Sequence, residues 1–243
     1  MKTYRIDLHC HTLDHSYDGA VPAVEIVARL MELGFSGVIF TDHCYCWSAG
    51  ELEELRRAAS APGDFFLASG QEVRAFDPET ETVLGDFLVY GPTEPMPDGT
   101  PVGEILARVK ETGGFCIGAH LGAPVVGLGG RAGHYPILAA ETWNGRYGDR
   151  IAKISRELAQ RYSLTEVGGS DTHREPDIGG GATLFPAIPS SLADVRAMIL
   201  DEACAPWKPS LLKRLKKTLA KNQEEAQEAS QPPPGPQPPE TPG

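Results

Sequence analysis

The sequence has no run near the ~20 apolar residues that a membrane helix needs. Its first residues, MKTYRIDLHC, lack the apolar stretch of a secretory signal. Cysteine is scarce: there are five, an odd number, and only Cys44 and Cys46 stand close together, which argues against a disulfide framework. These absences point to a reduced cytoplasm, with no membrane partner and no obligate protein partner evident. Lysine is nearly missing from the body, with Lys2, Lys110 and Lys153 alone before residue 208. Residues 1–207 carry 16 basic and 29 acidic side chains, a balance that repels long nucleic acids unless something local offsets it. Bound divalent cations would be one offset, since some carboxylates would then be ligands rather than surface.

What is present suits one large domain and a tail. The chain has 243 residues and is 41% hydrophobic, enough for a sizeable core. Gln231–Gly243 reads QPPPGPQPPETPG, with nothing apolar to bury, so 222–243 is expected to be a disordered tail. Residues 208–221 hold six basic and no acidic side chains. Leu211, Leu212, Leu215 and Leu219 fall on one helical stripe there, which reads as a basic amphipathic helix. Its lysines would face water or contact an anionic partner such as short nucleic acid.

The body, 1–207, alternates short apolar runs with helical patterns, the signature of βαβ units. Strands are expected at Thr3–Leu8, Gly37–Thr41, Phe65–Ser69, Phe87–Tyr90, Phe115–Ala119 and Ala139–Thr142, with a strand-to-loop turn in VGGSDTH. Helices are expected at Val21–Leu33, after a capping box at Ser48–Glu51, from Thr100-Pro101 to Gly113-Gly114, and at 148–162 and 191–201. The implied architecture is an α/β barrel somewhat smaller than the usual eightfold one.

His9, His11, His43, His120 and His173 each sit at or just beyond the C-terminal end of an expected strand, where the loops of a parallel barrel build its active site. Asp42, Glu72, Glu141 and Asp171 follow the same rule. One such histidine would be ordinary packing. Five converging on one mouth are hard to explain that way. In DLHCHT, His9 and His11 are two apart on an extended backbone and point the same way, while Cys10 points to the other face. Asp171 and His173 repeat this in SDTH. Imidazole with carboxylate suits zinc, manganese or iron(II) rather than calcium. So many ligands imply two or three metal ions with a carboxylate bridging, an arrangement suited to a phosphoryl centre.

The elements DLHCHT…DG, TDH, the GQE turn, AH, ETWNGR and GGSDTH, taken in order, resemble the PHP family, the polymerase and histidinol phosphatase phosphoesterases. The resemblance covers residues 3 to about 200. It implies a distorted (β/α)7 barrel with a trinuclear site at its C-terminal face. Hydrolysis of phosphate esters would proceed by a hydroxide bridging the metals, which attacks phosphorus in line. By position, His9 and His11 would bind the first metal with Asp171, and Glu72 would bridge it to a second held by His120. His43, His173 and Asp18 would take the third. Asp7 and Asp42 would orient ligand imidazoles.

Two departures stand out. Many relatives carry a histidine between the bridging glutamate and the AH motif; here Asp86, in LGDFLVYG, occupies that place, as a ligand or as a turn residue. The stretch from His11 to Asp18 is longer than usual in the family, which leaves His15 as an alternative to Asp18. In the Gly-rich loop VVGLGGRAGHYP, Arg131 and His134 are candidates to hold phosphoryl oxygens and to assist catalysis, with Arg146 as a further substrate-binding candidate. Asn144 reads as a loop-fixing residue, and Trp47 and Trp143 as core or pocket wall. The expected substrate is a small phosphomonoester or nucleotide. Cleavage of short RNA or single-stranded DNA from the 5' end, and a non-catalytic metal-binding module, are the alternatives.

Overall fold

The computed structural model describes residues 2–210, and most of the expected basic helix and all of the expected tail lie outside them. Lys208–Ser210 carries no helix. The strands are β1 (Tyr4–Asp7), β2 (Gly37–Phe40), β3 (Phe66–Asp77), β4 (Thr82–Tyr90), β5 (Phe115–Gly118), β6 (Ala139–Asn144), β7 (Thr165–Gly169), β8 (Ala182–Phe185) and β9 (Ala205–Trp207). They form one sheet in the order β7-β6-β5-β4-β3-β2-β1-β8-β9. The end strand β7 comes round to β8, where the Thr183 hydroxyl accepts from the Gly168 amide of β7, at 2.9 Å, and donates to the Gly168 carbonyl, at 2.8 Å. The result is a nearly closed barrel.

The helices are α1 (Ala23–Glu32), α2 (Ala49–Ala58), α3 (Val102–Thr112), α4 (Gly148–Arg161) and α5 (Leu192–Leu200). In α1, Ala23, Ile26, Val27 and Leu30 form a buried stripe at helical spacing, each larger side chain contributing about 1.5–3 kcal/mol by leaving water. Asp14 caps its start, accepting from the Ala23 amide at 2.7 Å, and Gly34 ends it with a φ of 77°. The Ser48–Glu51 capping box opens α2. The barrel interior is filled from every strand between β1 and β8, by Ile6, Ile39, Ala68, Leu88, Ile117 and Phe185 among others, and α5 closes onto the same cluster.

The sequence reading missed an antiparallel hairpin. β3 runs twelve residues, well past the expected end at Ser69, and turns back into β4 through 78–81. β4 pairs antiparallel with both β3 and β5. β8 and β9, also unexpected, pair antiparallel on the other side of β1. Glu72 and Asp86 therefore project from within strands, not from strand-end loops. Asp86 is not a turn residue.

Candidate metal centre

The nine residues expected to hold metal come together at the C-terminal mouth of the barrel. Glu72 is at the middle. Its Oε2 lies 3.1 Å from His9 Nε2, 3.0 Å from His11 Nε2 and 3.3 Å from His43 Nε2, while its Oε1 lies 3.0 Å from His120 Nε2. His9 Nε2 and His11 Nε2 are 3.0 Å apart. Asp171 Oδ1 is 3.5 Å from the first and 3.6 Å from the second. Asp18 Oδ2 faces His173 Nε2 at 2.8 Å and His43 Nε2 at 3.6 Å. Asp86 Oδ2 lies 3.8 Å from His120 Nε2. Three overlapping groups can each hold an ion: His9–His11–Glu72, His11–Asp18–His173 and Glu72–Asp86–His120.

Local backbone shape sets these directions. His120 and Asp171 both have positive φ, 27° and 54°, a strained conformation for non-glycine residues that concentrates at functional sites. Gly169 lets β7 run against the His9–Glu141 contact, since a Cβ there would meet His9 Cβ at 2.5 Å and Glu141 Oε1 at 2.6 Å.

In His9, His11 and His173 the other ring nitrogen has a hydrogen-bond partner, while His43 Nδ1 and His120 Nδ1 are buried without one. His9 Nδ1 faces both Glu141 oxygens at 3.2 Å. Glu141 also accepts from the His120 amide at 2.7 Å and from Asn144 Nδ2 at 3.0 Å. His11 Nδ1 faces Ser16 Oγ at 3.2 Å, and that hydroxyl donates to Asp18 at 2.6 Å. His173 Nδ1 faces the Asp171 carbonyl at 3.0 Å. With Nδ1 as the donor in the His9 and His11 pairs, their Nε2 lone pairs point into the cluster, the usual arrangement for metal-binding imidazoles. His43 Nδ1 lies 3.4 Å from Asp98 Oδ1, and Tyr17 stacks on the His43 ring while donating to the other Asp98 oxygen.

Charge in the metal-free protein is balanced by protons. Burial alone would lower His9, but Glu72, Glu141 and Asp171 raise it well above the ordinary imidazole range. Burial is likewise outweighed at His43 by Asp98 and Glu72, and at His173 by Asp171 and Asp18, so both rise to about 9. His11 goes the other way, lowered by burial. Glu72 and Asp171 stay ionised far below the usual carboxylate range, because the surrounding histidines outweigh their burial. Cations would answer the same need. Ligands of one ion bonded at about 2.0–2.2 Å stand roughly 3.0–3.5 Å apart, which is the spacing of His9, His11 and Glu72. Imidazole with carboxylate is a donor set for zinc, manganese or iron(II). The residues fit the ions.

Several expectations need correcting. Asp7 and Asp42 touch no cluster imidazole. Asp7 accepts from the amides of His9 and Ser170, and Asp42 from Thr12 and Trp47 Nε1; burial pushes them up to about 7 and about 6. The orienting carboxylates are Glu141 and Asp98. Asp98, in a PDG turn, gave no signal in the sequence. His15 stacks on Tyr45, so Asp18 is the residue at the cluster. Arg131 donates instead to the Val83 carbonyl at 3.4 Å and His134 is exposed; among the described residues neither contacts the nine. Their loop folds as a 3-10 turn over 129–134. Arg146 does reach the cluster: its NH1 is 3.0 Å from His173 Nδ1 and 3.7 Å from Asp171 Oδ1. Asn144 fixes Glu141 and Asp171, donating to both at 3.0 Å. Trp47 and Trp143 are packed and buried.

Comparison with known proteins agrees with the fold. No curated protein matches the sequence. PsfC from Pseudomonas syringae has a similar structure, with a TM-score of 0.63 at 16% identity over 93% of this chain and 99% of that one. A candidate metal-dependent phosphoesterase from Bifidobacterium adolescentis gives 0.54 at 18% identity over 85% and 97%. The lesion-specific endonuclease from Pyrococcus furiosus gives 0.57 at 17% identity, over 84% of this chain and 58% of that one. Two family models match the sequence, the PHP domain over residues 7–85 and the PHP-associated model over 153–204. The first span carries His9, His11, Asp18, His43 and Glu72, the second Asp171 and His173, and the chain belongs to the PHP family.

Proposed function

We propose that this PHP-family hydrolase cleaves small phosphate monoesters or nucleotides at a site holding three divalent metal ions. One observation carries the reading: five imidazoles and three other carboxylates gather about Glu72, whose two oxygens are divided between His9, His11 and His43 on one side and His120 on the other. That division suits a bridging carboxylate. His9, His11 and Asp171 would hold the first ion, His120 and Asp86 the second, and His43, His173 and Asp18 the third. When bound, manganese, zinc or iron(II) ions activate a water and neutralise phosphoryl oxygens.

The chain's own residues prepare for this. Glu141 and Ser16 hold the His9 and His11 imidazoles in the tautomer that frees Nε2. Arg146, partly exposed at the rim, offers a planar donor pair to a phosphoryl oxygen. The similarity to a lesion-specific endonuclease keeps short oligonucleotides in view, and the acidic body favours the small ester.

The test pairs metal content with phosphate release from mononucleotides, nucleoside bisphosphates, histidinol phosphate and short oligonucleotides, with manganese, zinc or iron(II) restored. Wild type should hold metal and release phosphate, and His9→Ala and Asp171→Asn should abolish release. Bound metal with no turnover of any ester would reject the catalytic reading, and absence of bound metal would reject the whole of it.

A further inference from the structure

The three groups are unequal in one respect. Arg74 and Asp86 stand directly opposite each other in the β3–β4 register, so their side chains share a face of the hairpin. Arg74 Nε and NH2 bind the two Asp86 oxygens at 2.9 and 3.0 Å, a two-pronged ion pair. Asp86 is almost fully buried and Arg74 partly exposed, so the guanidinium covers the carboxylate from the solvent side. The Arg74 amide donates to Asp98 Oδ1 at 2.9 Å, which ties the same residue to the wall behind His43. Among the described residues no comparable cation grips Glu72, Asp18 or both oxygens of Asp171; Arg146 lies 3.7 Å from one Asp171 oxygen.

We propose that Arg74 competes with a metal ion for Asp86, making Glu72–Asp86–His120 the weak and exchangeable group while the other two hold their ions tightly. This rests on the metal reading above and goes beyond it. A carboxylate whose oxygens both accept charged N–H groups has part of its charge and one lone pair of each oxygen already engaged, so it offers less to an ion. The fixed cation also repels the ion that would replace it.

The experiment is a manganese titration of the metal-stripped full chain, read by equilibrium dialysis with elemental analysis. Wild type should take up two ions tightly and a third at least tenfold more weakly. Arg74→Ala should tighten the third by tenfold or more, and Arg74→Lys, which cannot bind both oxygens at once, should fall between. Asp86→Asn should lose the third and leave the first two unchanged. Three equivalent ions in wild type, or an unchanged third ion in Arg74→Ala, would overturn the inference while leaving the metal reading intact. No bound manganese in any variant would overturn both.

Discussion

Glu141 holds no place in the three groups, yet it decides what His9 can offer them. In the wild-type arrangement its carboxylate accepts from His9 Nδ1, from the His120 amide and from Asn144 Nδ2. A carboxylate without a proton only accepts, so with metal bound and the ring neutral His9 would carry its proton on Nδ1 and turn a bare Nε2 towards His11 and Glu72. Glu141→Gln keeps the shape and reverses one partner. The amide oxygen must still take the His120 N–H, which leaves the NH2 group facing His9 Nδ1. That nitrogen then has to accept, the proton moves to Nε2, and it points into the cluster where a lone pair was needed. Loss of such an outer partner costs 10–100-fold in metal affinity, about 1.4–2.8 kcal/mol. With three hydrogen bonds in a fully buried site, the expected loss is at the upper end. Competition against a chelator of known affinity measures it, with Asn144→Ala as the milder comparison because it leaves the Glu141–His9 pair in place. An affinity within threefold of wild type for Glu141→Gln would refute the tautomer argument.

Two further outcomes follow from the same geometry. In the metal-free protein His43 and His173 titrate near 9, above the ordinary 6.5, so their stabilising contribution is full below pH 6.5 and is lost as pH rises through 9. Metal binding needs those imidazoles neutral and gains over the same range. Melting temperature should therefore fall from pH 6.5 to 9 in chelator-treated protein, with the stabilisation on adding metal growing over that interval; parallel curves with and without metal would contradict this. Gly169→Ala should destabilise the fold by about 1–3 kcal/mol through overpacking and weaken metal retention as well, since its methyl group would strike both His9 and Glu141. Urea denaturation together with metal analysis checks it, and wild-type values in both would show that β7 yields where the close contact says it cannot.

Much of this protein is written locally. The barrel class follows from alternating apolar runs and helix signals such as the Ser48–Glu51 box and the Pro22 and Gly34 boundaries, because each depends on residues a few positions apart. The histidines and most of the carboxylates could be named because strand ends mark themselves in sequence, and HxH on an extended backbone fixes a shared direction. The β3–β4 hairpin was hidden. Its pairing of Arg74 with Asp86 depends on a register between segments twelve residues apart, which neither segment states alone. Glu141 as the partner of His9, Asp98 behind His43 and the misplaced Arg131 and His134 belong to the same class. Which nitrogen carries a proton, which carboxylate is gripped by a cation and which loop residue faces the mouth are all set by contacts across the barrel. The sequence by itself determined which imidazoles and carboxylates are candidate ligands and the kind of chemistry they suit. Only the tertiary structure decided how those ligands are oriented, paired and made unequal, because that depends on distances between strands far apart in the chain.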